Sequence, residues 1–291
     1  MLYELRSEDL IVKVSTLGAE LTSVIDVSSD FEYIYDANPK FWKRHAPNLF
    51  PIVGRLKEDT YFYKGKEYQM TQHGFARDCD FELVEQTKSR LVFELTENEE
   101  TLKKYPFKFT FSVIYLLNQD ALTIAYGVKN EADEEMYFSV GAHPAFVFDQ
   151  NQTIDDYLIE FQHKIRDERL LLEGSYISKK KVGSKQEIEK INLNMDTFKD
   201  DALVFDQAIS GLTLKSTVSN HQVAVYMEEM PYLGIWTSYQ EESKTPFVCI
   251  EPWDGLADYI DSSQKLEEKV GIKKLAGHQS YSTHFIVRFR K

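Results

Sequence analysis

Phe107-Lys108-Phe109-Thr110-Phe111-Ser112-Val113 carries an apolar side chain at every second position. A period of two sends successive side chains to opposite faces of a sheet, so this stretch reads as a strand with one buried and one wet face. Leu91/Phe93/Leu95, Val223/Val225/Met227 and Phe285/Val287/Phe289 repeat the pattern. Tyr63-Lys64-Gly65-Lys66 sets a glycine between two strand-like stretches, where a tight reversal needs positive φ. Helical signals are few: Asn38-Pro39 opening a turn around Phe41 and Trp42, and Ser263 as an N-cap for a helix over 264–270. The connections are too short for repeated crossover helices, which favours antiparallel pairing. The expected fold is all-β: a single large antiparallel β-sandwich with a few short helices, residues 1–291 forming one domain. The charged stretch 179–190 reads as a solvated hairpin or loop rather than a boundary.

Composition agrees with one large β unit and removes several function classes. A chain of 291 residues with 43% hydrophobic and 28% charged residues has apolar side chains enough for a sizeable core, which argues against disorder. A formal net charge of -13, with no concentrated Lys/Arg run, would repel a phosphate backbone, so nucleic acid is not an expected partner. Met1-Leu2-Tyr3-Glu4-Leu5-Arg6 lacks the basic start and apolar run of a secretion signal, and no apolar stretch reaches the ~18 residues of a membrane span. A cytoplasmic protein without a membrane partner is expected. Cys79 and Cys249 are too few to staple such a chain and are read as reduced, without a chemical role. Oligomeric state leaves no signal in the sequence.

Three places break the alternation by setting a proton carrier at a strand end beside Gly or Pro. The first is Gln72-His73-Gly74-Phe75-Ala76-Arg77-Asp78, which follows Asn48-Leu49-Phe50-Pro51-Ile52-Val53-Gly54-Arg55 across the expected hairpin. The second is Gly141-Ala142-His143-Pro144-Ala145-Phe146; the third is Phe247-Val248-Cys249-Ile250-Glu251-Pro252-Trp253-Asp254, where Pro252 is expected to stop the ladder. A lone histidine at a strand end is more often a hydrogen-bonded or surface residue than a functional one. Glu251 is odder, because a carboxylate after four residues of near-core character pays for desolvation unless it is paired. Arg55 could be its ion-pair partner, Arg77-Asp78 a local surface pair, and Trp253 a core residue.

Together these segments resemble the aldose 1-epimerase family, and within it the bacterial branch of LacX-type proteins. The resemblance continues into Lys269-Val270-Gly271-Ile272, Leu275 and Gly277 before the final strand, in the expected order over nearly the whole chain. It implies a galactose-mutarotase-like sandwich with a sugar cleft on one concave sheet face. Carried over position by position, it implies Glu251 as general base, His143 as general acid, and His73 and Arg55 as substrate-binding groups. A further acidic residue is usual between the second histidine and the base; Asp201 matches best, with Asp200 and Asp206 close by. No cofactor and no metal are implied, and the partner is a small sugar or sugar phosphate.

Anomer exchange needs a base for the C1 hydroxyl proton and an acid for the ring oxygen. With reference pKa values of about 4.3 for Glu and about 6.5 for His, this pair suits neutral pH without a metal. A zinc site built from His73, His143 and Glu251 is a competing reading, although no His-Glu-x-x-His motif supports it. A non-catalytic sugar-binding or sensing protein on the same fold is the alternative from another class; retention of Glu251 and both histidines argues against it. Glycoside hydrolysis generally uses paired carboxylates, and Glu251 has no obvious second one in these motifs. Arg55 and Arg77, with Lys57 nearby, are candidates for binding a sugar phosphate, so neutral hexoses and hexose 6-phosphates stand level.

Overall fold

In the computed structural model, which describes residues 1–239 and 245–291, the opening stretch becomes the strand Phe109–Asn118. Phe109, Phe111, Val113 and Tyr115 point into the core and are essentially without solvent contact, whereas Thr110, Ser112 and Ile114 are half-buried on the other face. Phe107 lies just before the strand and is buried too. Each such aromatic ring contributes about 1.5–3 kcal/mol by leaving water, which makes a one-residue register slip costly. The strand pairs antiparallel with Arg90–Thr96 on one side and Ala121–Asn130 on the other.

These three belong to a nine-stranded sheet among the described residues. Its order runs Glu187–Asn192, Tyr157–Arg166, Gly211–Ser216, Gln222–Tyr226, Ser280–Arg290, Ala121–Asn130, Phe109–Asn118, Arg90–Thr96, Glu82–Gln86. A second sheet runs Tyr176–Val182, Arg169–Glu173, Leu203–Phe205, Tyr232–Trp236, Phe247–Asp254, Val140–Ala142, Asn48–Leu49, with Ala145–Val147 also paired to Phe247–Asp254. One apolar cluster joins Phe111, Val113 and Val287 of the first sheet to Val140, Leu233, Val248 and Ile250 of the second. The architecture is an antiparallel sandwich, as the alternation predicts. Among the described residues, no helix is long and apolar enough to cross a membrane.

Local expectations fare unevenly. Lys64 and Gly65 both take positive φ and form the two-residue turn that joins Thr60–Tyr63 to Lys66–Gln69.

 The φ values are 47° at Lys64 and 76° at Gly65, so the tight reversal falls where the glycine indicated. Asn38 also opens its turn, its carbonyl accepting from the Phe41 and Trp42 N–H groups. The helix expected over 264–270 is not formed: Gln264 sits at φ 60°, which no helix continues through, and only the 3-10 turn Leu266–Glu268 follows. A helix the alternation does not reveal is Glu99–Lys104, capped by Asn98 and Thr101 in a reciprocal box, with Glu99 and Glu100 in its first turn and Lys103 and Lys104 in its last. The stretch 179–190 is not a hairpin: it holds the end of Tyr176–Val182, a short connection over 183–186 and the start of Glu187–Asn192, and the two strands lie in different sheets.

Candidate active site

Register builds the centre of the site. Val140 faces Asp254 and Ala145 faces Cys249 across the same antiparallel pair, so the register sets His143 opposite Glu251. Cross-strand neighbours have Cβ atoms about 4.5–5.5 Å apart, close enough for their side chains to meet. His143 Nε2 and Glu251 Oε2 are 3.0 Å apart, in contact although not aligned as a formed hydrogen bond. Pro252 does not stop the strand, which runs Phe247–Asp254. By the same register Pro252 lies opposite Ala142, in the gap between the paired residues Gly141↔Trp253 and Ala145↔Cys249, where its missing N–H coincides with a break in the ladder. On its other side Glu251 pairs with Gly234, where a Cβ would press to 2.7 Å from the Trp253 ring. Glycine there leaves room for the indole to lie beside the carboxylate.

His73 arrives from a loop held by its backbone. His73 and Gly74 take φ 66° and 73°, and a Cβ on Gly74 would lie 2.2 Å from the Phe50 carbonyl oxygen, which accepts from both Phe75 and Ala76 N–H. Gly74→Ala is therefore expected to destabilise the fold by more than about 2 kcal/mol, read from the urea midpoint, since both strain and clash oppose the methyl group. An unchanged midpoint would contradict that packing. Gly54 donates its N–H to His73 Nδ1 at 3.1 Å and accepts the His73 N–H at 2.8 Å. With Nδ1 accepting, the proton of a neutral ring lies on Nε2, a donor for a ligand oxygen.

His73, His143, Glu251 and Asp201 line one cavity of about 320 Å3, together with Gln72, Arg77, Trp42, Trp236 and Trp253. Asp201 stands at φ 79°, an uncommon conformation for a residue with a Cβ, and its Oδ1 accepts the Ala202 N–H. Asp206 instead pairs with Lys181, and Asp200 is exposed outside this cavity. Arg55 is not among the lining residues; its guanidinium grips Asp59 at 2.9 and 2.8 Å. The suggested Arg55–Glu251 ion pair is thus not formed, because Asp59 lies one short turn away on the same segment. The guanidinium at the cavity is Arg77, with its Nε buried, without a hydrogen bond and 3.9 Å from Asp78 Oδ2, the local pair read from the sequence, and one terminal nitrogen on the Gln72 carbonyl. Trp42 and Trp236 were invisible as site residues in the sequence, because an aromatic residue in a turn or a strand reads first as core.

Burial dominates the electrostatics. It pushes the Glu251 carboxyl well above its ordinary range, with Asp201 adding to the rise, and pushes His143 down to about 3. Carboxylic acid with neutral imidazole, and carboxylate with imidazolium, contain the same number of protons, and burial disfavours the charged form of both groups. Burial also raises Asp201 and lowers Arg77 to about 10, the nearby Arg44 reinforcing the latter. His73 is lowered well below 6.5 and His221, buried elsewhere, to about 4.

Those three histidines give a signed prediction. In the unfolded chain each binds a proton near pH 6.5, whereas burial lowers all three in the fold, His143 to about 3 and His221 to about 4, so the unfolded state binds more protons as the pH falls below 6.5. Each contributes stability that is present above pH 6.5 and lost on acidification, by up to about 1.4 kcal/mol per pH unit. Glu251 and Asp201, both raised in the fold, work in the opposite direction above their unfolded values but are two groups against three. The urea midpoint is expected to fall between pH 7 and pH 5; a flat or rising profile would show the histidines to be solvated.

The donor atoms of His143, Cys249 and Glu251 lie within 4.8 Å of one another. This is a different set from the one considered from sequence, with Cys249 in the place of His73. Burial holds the Cys249 thiol well above its ordinary range, which disfavours the thiolate a metal needs. Both cysteines are free thiols.

A β-sandwich that brings a carboxyl, two imidazoles and aromatic walls into one small cavity has the make-up of a sugar-handling protein. The family model for aldose 1-epimerase matches residues 1–268, and the chain belongs to that family. Protein LacX, plasmid, from Lactococcus lactis subsp. lactis is 31% identical over 94% of this chain and 95% of its own length. A galactose mutarotase related enzyme from Lactobacillus acidophilus superposes with a TM-score of 0.96 at 38% identity, covering 100% of this chain and 98% of the other. A galactose mutarotase-like protein from Lactobacillus casei gives 0.93 at 29% identity, with 100% of both chains covered. The function is therefore of the mutarotase-like, sugar-directed kind, and its partner is a small sugar.

Proposed function

We propose that the chain is an aldose 1-epimerase that interconverts the α and β anomers of a hexose or hexose 6-phosphate, in the cytoplasm, as one domain of 1–291 and without a metal. The observation that carries this reading is the 3.0 Å approach of His143 Nε2 and Glu251 Oε2 inside the cavity. The core cluster reaching from Leu5 to Phe289 supports one working unit, and the two free thiols support a reducing compartment.

Substrate hydroxyls entering the cavity supply hydrogen bonds that burial had removed, which favours the carboxylate and imidazolium arrangement of the shared proton. Glu251 then takes the O1 proton. The O1–H pair forms the C1=O1 bond, the C1–O5 pair moves to O5, and His143 Nε2 delivers its proton there. Rotation about C1–C2 turns the other carbonyl face toward O5. Closure runs the transfers backwards, with His143 removing the O5 proton and Glu251 returning one to O1, so the pair ends with the proton it began with. His73 Nε2–H, Asp201 and Arg77 hold the remaining oxygens, and the indoles exclude water.

Arg77 takes the binding role that resemblance assigned to Arg55. Arg77→Ala is expected to raise KM by about 10- to 100-fold, the loss of a charge-assisted hydrogen bond, with a smaller effect on kcat. Arg55→Ala should leave KM within about threefold, because its guanidinium serves Asp59. The reverse ranking would return the role to Arg55. Polarimetry of chelator-dialysed protein on α-galactose, α-glucose and their 6-phosphates tests the reaction, the metal and the substrate class together. Loss of turnover on dialysis, restored by zinc, would overturn the metal-free reading.

A further inference from the structure

A general acid needs its ring held in one orientation, and a histidine is usually held by a hydrogen bond at the nitrogen that does not react. His143 lacks that tether: its Nδ1 is buried with no hydrogen-bond partner among the described residues. What surrounds the ring is aromatic. The Trp42 indole stacks on it with centroids 4.7 Å apart and 29° between planes, Trp236 meets it edge-on at 5.6 Å and 77°, and the His73 ring stands at 5.5 Å and 90°. Trp42 is itself braced by Trp236 at 5.7 Å and by Phe247 at 6.0 Å. Its backbone is fixed by the turn in which Asn38 accepts the Trp42 N–H, while the Tyr35 hydroxyl donates to the same carbonyl at 2.6 Å.

We propose that Trp42 is the positioning residue of the acid: its stacked face replaces the missing Nδ1 tether and favours the shared proton on His143 over Glu251. The inference rests on the acid/base reading above. An aromatic face within about 6 Å attracts a cation, most strongly where water is excluded. Stacking has no such preference for the neutral ring, so Trp42 acts on the proton's position as well as on the ring's angle. The effect opposes the burial that otherwise keeps the imidazole neutral.

The test compares Trp42→Leu, Trp42→Phe and the full-length protein carrying fluorinated tryptophans at position 42 alone. Trp42→Leu is expected to lower kcat by about 10- to 30-fold with KM within about threefold, the size of a desolvated cation–π contact. Trp42→Phe should recover most of it. The fluorinated rings keep the shape while draining the face of negative charge, and kcat should fall stepwise with the number of fluorines. A flat fluorine series overturns the proton-placing role, and a rise in KM alone makes Trp42 a sugar platform instead. The His143 Hε1 NMR line, sharp in the wild type, should broaden in Trp42→Leu as the ring gains motion; a line that stays sharp overturns the tether. If the wild type exchanges no anomer, the acid/base reading fails, while the line shape still reports on the clamp.

Discussion

Glu251→Gln is expected to keep the sandwich and slow anomer exchange by at least about 10²-fold, the usual contribution of one positioned base. The amide fills the volume of the carboxyl at a site with 1% exposure, so the packing of Gly234 and Trp253 around it is unchanged. It cannot take the O1 proton. The exchange rate, measured by polarimetry beside the thermal midpoint, separates the two effects. Because the variant removes an ionisable group from a buried place, its midpoint should equal or exceed that of the wild type. Near-normal turnover in a folded Glu251→Gln protein would remove Glu251 as the base.

His143→Asn should be comparably slow, again by at least about 10²-fold, for a different reason. The ring oxygen leaves C1 as an alkoxide unless it is protonated in the same step, and an amide has no proton of suitable acidity to give. Kcat should carry the loss. Asn also removes the ring on which Trp42 stacks, so a fall in thermal midpoint is expected alongside it. The two variants combined should be barely slower than either alone, since acid and base act on one proton circuit; additive losses would mean that they act independently.

The sandwich was legible because its strands alternate. Phe109, Phe111 and Val113 declare a buried face by period alone, and the Lys64-Gly65 turn declares a reversal by the φ it needs. The helix Glu99–Lys104 was not, because six residues are too few for a 3.6-residue period to stand out, and its signal lies in the Asn98 cap. The site was partly legible. Glu251 stood out as a carboxylate in an apolar strand, and His143 beside a proline; what alternation does not give is that their strands pair in the register that makes them neighbours. Arg55 and Arg77 are chemically equal in the sequence. Only their place separates them: Arg55 is turned to Asp59 four residues along, whereas Arg77 reaches the cavity. Trp42 belongs to a turn that reads as punctuation until the fold lays it over an imidazole.

The most direct measurement is NMR saturation transfer at C1, with the β-anomeric proton of a free aldose saturated and the α signal observed in the presence of the wild-type protein. Transfer well above that in buffer is expected for at least one hexose or hexose 6-phosphate, and none for its methyl glycoside, whose O1 has no proton for Glu251 to take. No acceleration with any free aldose, in a protein that still binds the sugar, would contradict the assignment of His143 and Glu251 as a proton-transferring pair.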